Sequence, residues 1–242
     1  MDKKELINSG KVKSVFTTDD DDKVIIEFRD DMTAGDGERK EVMNKKGSYN
    51  AVISSKIFKV LEENGVETQF IDLPEPNVML AKRLEMIPIE VIVRNIATGS
   101  LVRKYPIADG TRLEPPIVQM DFKADEYHDP MLNDSIIKAL GIATQDEIDE
   151  LTEKALKINE ILTKFFADAG IILVDYKVEF GKDKDGNILL GDEISPDSCR
   201  LWDSKTLDML DKELFRKGKD DEVMEAYVEV YNRIIPDDEK VI

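Results

Sequence analysis

The chain has 242 residues, and its 52 acidic against 34 basic side chains give it a formal charge of −18. This charge disfavours a nucleic-acid-binding protein, because phosphate binding needs a clustered excess of Lys and Arg. With 41% apolar residues the chain can form a packed core, whereas one cysteine and one histidine exclude a disulfide framework and a Cys/His zinc site.

The first third of the chain predicts a β-rich region with one helix. Two β-type runs, Lys11–Thr17 and Lys23–Phe28, predict a hairpin around the acidic segment Asp19–Asp22, which is typical of a solvated loop. Apolar residues at helical spacing predict a helix over Lys46–Asn64, ended by Gly65. The other elements expected here are a glycine-rich loop at 34–37 and strands at 67–72 and 77–83.

The strongest helix signal lies between Thr144 and Gly170. Thr144 and Glu147 match a capping box, and the apolar residues that follow recur at spacings of three and four. This pattern predicts a long amphipathic helix that ends before Gly170. Its expected buried stripe consists of Ile148, Leu151, Ala155, Ile158, Leu162 and Phe165.

Strands are predicted on both sides of this helix. Residues 90–96 form one β-type run, whereas the prolines in 106–130 predict irregular strands and loops. Residues 171–180 and 187–194 predict a hairpin around the turn at 183–186.

The order of these elements predicts an α+β protein with a ligand cleft between two lobes. We expect an antiparallel β-rich lobe at 1–86 and a larger α/β lobe at 87–242. No apolar run approaches the roughly 20 residues that span a bilayer, and the charged start does not resemble a signal peptide. The sequence therefore predicts a soluble, cytoplasmic protein.

The strand at 171–180 carries an alternating row of charges. Asp175, Lys177 and Glu179 share one face, and Asp192 and Glu193 on the next strand can approach it. Converging carboxylates repel one another unless a cation lies between them, and all-oxygen ligands suit Mg²⁺. An exposed sheet face with cross-strand ion pairs fits the same pattern, so both interpretations stay open.

Anion-binding signals are present without a complete phosphate-binding motif. Lys11 and Lys13 open the first hairpin, where they could meet a polyphosphate, although lysines more commonly solvate an exposed strand. Arg94 lies in an apolar strand and needs an internal carboxylate or an anionic ligand; Arg200 presents the same choice. Gly99-Ser100 offers N–H groups and a hydroxyl to a phosphate.

Several sequence blocks occur together in an order that composition does not explain. The most specific are Val93-Arg-Asn95 and Asp192-Glu-Ile-Ser-Pro-Asp197. Others are Gly10-Lys-Val-Lys13, Lys46-Gly47, Gly99-Ser-Leu-Val-Arg103, His128-Asp-Pro130, Val174-Asp-Tyr-Lys-Val-Glu-Phe-Gly181 and Leu210-Asp-Lys-Glu-Leu-Phe-Arg216. With these blocks, the chain from Gly10 to Arg216 resembles the phosphoribosylaminoimidazole-succinocarboxamide synthase (SAICAR synthetase) family.

The resemblance implies a two-lobed ATP-dependent ligase that joins a carboxylated aminoimidazole ribonucleotide to L-aspartate, with Mg²⁺ and ATP as cofactors. It also implies a homodimer that binds these small molecules and neither nucleic acid nor membrane. Reaction through an acyl phosphate relies on positioning and charge neutralisation, so it needs no protein nucleophile. The alternatives are an ATP-dependent ligase or kinase-like phosphotransferase with another acceptor, and an acidic metal-binding or interaction module without turnover.

The resemblance also implies a role for each matching charged residue. The nucleotide would be bound by Lys11, Lys13, Lys123 and Glu179, and Mg²⁺ by Glu179, Asp192 and Asp129. The ribose 5-phosphate would be bound by Arg94, Ser100 and Arg200, and the sugar or base by Asp175 and Asp197. The reacting carboxylate or aspartate would be bound by Lys177, Lys212 and Arg216. The expected catalytic groups among these are Lys177, Glu179, Asp192 and Arg94.

Overall fold

A computed structural model describes residues 2–34 and 39–242, so most of the expected glycine-rich loop at 34–37 lies outside the described residues. The strands are β1 (Leu6–Ser9), β2 (Lys13–Thr17), β3 (Lys23–Phe28), β4 (Asp31–Ala34), β5 (Arg39–Val42), β6 (Phe70–Glu75), β7 (Val78–Lys82), β8 (Glu85–Ile96), β9 (Arg112–Phe122), β10 (Met131–Leu132), β11 (Ile171–Lys182), β12 (Ile188–Gly191) and β13 (Cys199–Asp203). The α-helices are α1 (Lys46–Glu63), α2 (Ser100–Lys104), α3 (Asp134–Ala139), α4 (Gln145–Asp168), α5 (Glu213–Arg216) and α6 (Asp220–Ile234).

Two antiparallel sheets organise this α+β fold. The first has the strand order β1-β2-β3-β7-β6, and the second has the order β10-β9-β8-β11-β12, with β13 also paired to β11. Helix α1 packs on the first sheet and on α6, whereas α4 packs on the second sheet. One hydrophobic cluster runs through both regions, because side chains of α1, α4 and α6 belong to it together. No helix in the described ranges is long and apolar enough to cross a membrane.

The strongest sequence patterns are confirmed. β2 and β3 form the predicted hairpin, and β11 and β12 form the second one. The capping box of α4 is complete, since the Thr144 side chain accepts from the Glu147 N–H while the Glu147 side chain accepts from the Thr144 N–H. Gly65 follows α1 with a φ of +75°, as expected of a glycine that ends a helix.

One position in the predicted stripe of α4 is wrong. Phe166 is buried with 1% exposure, whereas Phe165 is only partly buried against the core. The two ring centroids lie 5.3 Å apart in an edge-to-face contact, with the Phe166 ring in the core and the Phe165 ring at its edge. Periodicity alone does not say which of two neighbouring apolar residues faces the core.

The prediction of irregular strands and loops over 106–130 is confirmed in part, because loops flank a strand with an irregular register, but the strand is longer than expected. β9 is an eleven-residue strand, and it pairs with both β8 and β10. Its prolines, Pro115 and Pro116, lie where the register with β8 shifts, between the pairs Ile96↔Arg112 and Arg94↔Ile117. Proline lacks the N–H that donates hydrogen bonds to a neighbouring strand. At the register shift these hydrogen bonds are interrupted, so two prolines can be accommodated there.

Candidate active site

Three neighbouring cavities share lining residues; two are lined by residues of both sheets, and the third is lined from the second sheet. The apolar cavity, of about 420 Å³, includes Val15, Val24, Ile26, Leu84 and Met86. The central cavity, of about 280 Å³, shares Gly10, Lys13, Lys123, Glu179 and Asp192 with it. The arginine cavity, of about 330 Å³, includes Arg94 and Arg200 and shares Glu90, Lys177, Asp197, Ser198 and Lys212 with the central one.

A larger cavity of about 560 Å³ lies elsewhere, next to α4. Apolar side chains such as Leu101, Met120 and Ile148 dominate its wall, and its charged lining residues are Asp134 and Asp149. Because no basic side chain lines it among the described residues, it does not match the anion-binding signals of the sequence. The three connected cavities are therefore the candidate active site.

The predicted acid–base–acid row faces these cavities. Asp175, Lys177 and Glu179 all line them, and Glu179 is only 1% exposed. Lys177 Nζ lies 2.6 Å from Glu90 Oε1 and 2.9 Å from Glu179 Oε1. The cross-strand ion pair with Glu90 of β8 is therefore present, but the face that carries it is buried and lines a cavity.

Asp192 follows the second hairpin and adopts a left-handed backbone conformation, with φ of +56°. Its carboxylate pairs with Lys13, and Gln69 donates a 2.8 Å hydrogen bond to its carbonyl oxygen. Burial alone would raise the pKa of Asp192, but the charges of Lys13, Lys177 and Lys123 hold it far below its usual range. Asp192 is therefore an anion at neutral pH.

Glu193 is the other buried carboxylate of this loop. Its Oε1 lies 3.8 Å from Lys13 Nζ, whereas its Oε2 is buried without a hydrogen-bond partner among the described residues. Burial and the nearby negative charges of Asp192 and Asp197 raise the pKa of Glu193 above its usual value. Glu193 thus lines the central cavity with one of its carboxylate oxygens left without a hydrogen bond among the described residues.

The expected metal ligands are brought to one cavity but do not form a cluster. Glu179, Asp192 and Asp129 all line the central cavity. Asp129 Oδ1 accepts a hydrogen bond from the Ala124 N–H at 2.9 Å, and Glu179 pairs with Lys123. Within residues 2–34 and 39–242, no group of three or more Asp, Glu, His or Cys side chains is arranged to hold a metal ion.

The two predicted arginines meet at Asp175 in the arginine cavity. Asp175 Oδ2 lies 3.1 Å from Arg94 Nη1 and 2.8 Å from Arg200 Nη1, so one carboxylate orients both guanidinium groups. Arg94 also donates to Ser100 Oγ at 3.3 Å. Gly99 has φ of +60° and ψ of −125°, a backbone conformation that favours glycine, and a Cβ there would lie 2.5 Å from Arg200 Nη2 and displace it. Five basic side chains against three acidic ones line this cavity, although the whole chain is strongly acidic.

Lys212 and Arg216 border the same region from the start and end of α5. Lys212 lines both the central and the arginine cavities and has no ion pair with any described residue. Burial lowers the pKa of Lys212, while the charge of Asp197 opposes this shift. Arg216 lines the arginine cavity and pairs with Glu213 at 3.0 Å.

Lys11 lines the central cavity from outside the strand on which it was predicted. It lies in a bend before β2, is 42% exposed and pairs with Asp125 at 2.8 Å, whereas Lys13 is mostly buried. The hairpin therefore presents both lysines to the cavity, but not through strand alternation.

Sequence reasoning missed the apolar cavity and two buried partners of Asp197. Lys46 Nζ lies 2.6 Å from Asp197 Oδ2, and the Tyr227 hydroxyl donates to Asp197 Oδ1. Lys46 belongs to one of the quoted sequence blocks, which was a usable signal. Tyr227 and the apolar residues follow ordinary core patterns, so no local signal separated them from the core.

Comparisons with known proteins agree with this geometry. Residues 6–234 match the family model described as SAICAR synthetase. The phosphoribosylaminoimidazole-succinocarboxamide synthase of Methanobrevibacter smithii is 86% identical over 241 residues, which are 100% of this chain and 99% of the relative. That of Methanocaldococcus jannaschii is 58% identical and is matched over 90% of each chain.

Solved structures give the same result. A structure described as SAICAR synthetase (Type-2) in complex with ADP matches with a TM-score of 0.93 and 50% identity over 98% of this chain and 100% of its own. The Type-1 crystal structure of SAICAR synthetase from Pyrococcus horikoshii OT3 matches with a TM-score of 0.87 and 50% identity, over 92% and 96% of the two chains.

Proposed function

Because this chain belongs to the SAICAR synthetase family and is therefore a ligase of purine biosynthesis, we propose that it joins 5-amino-1-(5-phosphoribosyl)imidazole-4-carboxylate to L-aspartate. ATP becomes ADP and phosphate in this reaction. The observation that carries the proposal is the row of three connected cavities, which is most apolar at one end, mixed in charge in the middle and lined by arginines at the other end. They suit, in that order, a purine base, a polyphosphate and a phosphorylated second substrate.

ATP occupies the apolar and central cavities in this proposal. Val15, Val24 and Ile26 would pack against the base, and Lys11, Lys13 and Lys123 would neutralise the phosphates. The ADP in the related solved structure supports nucleotide binding by this fold.

The ribonucleotide occupies the arginine cavity. Arg94, Ser100 and Arg200 would bind its 5-phosphate, and the shared contact with Asp175 holds both arginines in place before the substrate arrives. Asp175 and Asp197 then lie beside the sugar and base. A phosphorylated acceptor fits this cavity better than a neutral one, because two guanidinium groups favour a phosphate.

We propose the central cavity for Mg²⁺ on the chemistry of its lining, since the described carboxylates there do not yet form a metal-binding cluster. Its donors are all carboxylate oxygens, from Glu179, Asp192 and Asp129, and the unpartnered Glu193 Oε2 offers one more. Bound Mg²⁺ would neutralise charge on the ATP phosphates. Lys13 pairs with Asp192 and Lys123 pairs with Glu179. Each ammonium group could therefore exchange its carboxylate partner for an ATP phosphate while it stays in the cavity.

The reaction proceeds in two steps in this proposal. A carboxylate oxygen of the imidazole attacks the γ-phosphorus and ADP leaves, which gives an acyl phosphate. The aspartate amine then attacks the acyl carbon, the C–O bond to phosphate breaks, and the amine loses a proton. Lys177 and Lys212 lie where the central and arginine cavities join, so they would hold the reacting carboxylate or the aspartate, with Arg216 at the edge.

The lobe division, the dimer and the cytoplasmic location belong to the same proposal. The first sheet ends at Lys82 and the second begins at Glu85, which supports a boundary near residue 86. The hydrophobic cluster is continuous across that boundary, so the two lobes would pack against each other as one body.

An omission assay with isotope analysis tests the proposal. Purified protein should release ADP only with Mg²⁺, ATP and the ribonucleotide, and should form the succinyl product only when L-aspartate is added. With ¹⁸O in the ribonucleotide carboxylate, one labelled oxygen should appear in the released phosphate. Failure to form product with all components would overturn the function, and product formation without label transfer would overturn the acyl phosphate.

A further inference from the structure

Asp197 lies at the boundary of the central and arginine cavities and lines both. Its two carboxylate oxygens are contacted from two helices that are distant in sequence. Lys46, the first residue of α1, lies 2.6 Å from Oδ2, and Tyr227, in the middle of α6, donates its hydroxyl proton to Oδ1. One carboxylate of the candidate site is thereby connected to α1 and to α6.

The Lys46–Asp197 pair is almost completely buried. The two side chains are 1% and 4% exposed. Removing both charges from water costs several kcal/mol per ion, so a pair of this kind contributes little net stability compared with apolar packing. Its position beside two cavities points to a role other than stability.

The start of α1 is held rigidly, which fixes the base of the Lys46 side chain. Asp30 Oδ1 accepts a hydrogen bond from the Gly47 N–H at 2.9 Å. A Cβ on Gly47 would lie 2.5 Å from the Phe28 carbonyl oxygen, so the helix begins in direct contact with the backbone after β3. The Ser54 hydroxyl, two turns later, donates to the Ile194 carbonyl at 3.0 Å and ties α1 to the loop that carries Asp197.

Tyr227 supplies a neutral donor from the other side. Its side chain is fully buried, and burial together with the charge of Asp197 raises its pKa well above the usual value. Burial alone would raise the pKa of Asp197, but Lys46, Lys212 and the bonds from Lys46 and Tyr227 lower it to about 2. The carboxylate stays ionised and keeps its ion pair with Lys46 and its hydrogen bond from Tyr227 at neutral pH.

We propose that Lys46 and Tyr227 are positioning residues, which hold Asp197 in the one orientation that meets the ribonucleotide beside Lys212. This inference deepens the proposed function and rests on it. It makes the C-terminal helix α6 part of the site, although Tyr227 itself lines neither cavity. Without these bonds the carboxylate would rotate freely about its side-chain torsions, and productive alignment would be populated less often.

Tyr227→Phe tests the proposal, and Tyr231→Phe is its matched control. Tyr231 lies one turn further along α6, is also buried, and accepts hydrogen bonds from the Val241 and Ile242 N–H groups, far from Asp197 in the chain. For Tyr227→Phe we expect kcat/KM for the ribonucleotide to fall about tenfold, while KM for ATP changes by less than about twofold. Tyr231→Phe should leave both values within about twofold at a similar thermal midpoint.

Lys46→Gln provides an independent second variant, and the same split between the two substrates is expected for it. If either folded variant keeps the wild-type kcat/KM for the ribonucleotide, or if KM for ATP rises in parallel, the positioning role is excluded.

Wild-type protein assayed beside the variants distinguishes a failure of the proposed function from a failure of the positioning role. A wild-type protein without product formation overturns the proposed function, whereas an active wild type with an equally active Tyr227→Phe overturns only this inference.

Discussion

The two ends of the candidate site differ in what holds their shape. The apolar cavity is formed by side chains such as Val15, Ile26 and Met86, which also belong to or border the ordinary packing of the sheets. In the arginine cavity the shape depends on charges, because Asp175 bonds Arg94 and Arg200 at the same time. Packing therefore prepares one end of the site, and ion pairing prepares the other.

This difference decides how each end responds to substitution. A packed apolar wall tolerates small changes, since neighbouring side chains can move by a few tenths of an ångström. A buried ion-pair network does not, because removal of one partner leaves another charge unpaired and misplaced. Substitutions at the charged positions should therefore have larger and more specific effects than those in the apolar wall.

The largest effect is expected where the apolar and central cavities meet, at Asp192. Asp192→Asn preserves the size of the side chain, and asparagine tolerates the left-handed backbone of this position, so only the charge is lost. We expect kcat to fall by about a thousandfold, which exceeds the effect of the smaller loss of stability caused by leaving Lys13 with only Glu193, at 3.8 Å. Asp183→Asn, in the exposed hairpin turn, is the control and should keep full activity. An active Asp192→Asn would remove Asp192 from the metal-binding and catalytic groups.

An intermediate effect is expected at the arginine end. Arg200→Met leaves Asp175 paired with Arg94, so the Asp175 carboxylate keeps one ion-pair partner. Loss of one guanidinium–phosphate contact should raise KM for the ribonucleotide about a hundredfold with KM for ATP unchanged. The control is Arg233→Met, because Arg233 pairs with Asp203 and lines none of the three cavities. Equal losses for both substrates would contradict the assignment of this cavity to the ribonucleotide.

The smallest effect is expected in the apolar wall. A Cβ on Gly191 would lie 3.0 Å from Met86 Cε and 3.1 Å from Met86 Sδ, so Gly191→Ala should push Met86 into the apolar cavity. KM for ATP should rise about threefold, and KM for the ribonucleotide should not change. In the double variant with Met86→Ala, the added methyl group should have no further effect. A change in ribonucleotide affinity alone would show that the two ends of the site are assigned the wrong way round.

Elements with strong local signals could be predicted from the sequence. The capping box at Thr144 and the regular apolar spacing defined α4, and Gly65 marked the end of α1. The length of β9 could not be predicted, because Pro115 and Pro116 are ordinarily strand breakers and only the register shift against β8 accommodates them. The short helices α2 and α3 carry too few residues for a periodic pattern.

The charged part of the site was also visible in the sequence. An arginine in an apolar strand, such as Arg94, and alternating charges, such as Asp175 and Lys177, are costly unless they are paired, so they stand out. Tyr227 could not be recognised, since a buried tyrosine in an amphipathic helix looks like any core residue. Tyr227 and Asp197, which are in contact, are separated by 30 positions in the sequence, so no local pattern links them.

By itself the sequence determined the family, the helices α1 and α4, the two hairpins and the charged residues that line the candidate site, because each depends on residue types at short spacings. Only the tertiary structure decided which of those charges meet. It brought Lys46 and Tyr227 to Asp197 and aligned Arg94 and Arg200 on Asp175. The physical reason is that ion pairs and hydrogen bonds act over a few ångströms, and chain folding alone sets which distant residues come that close.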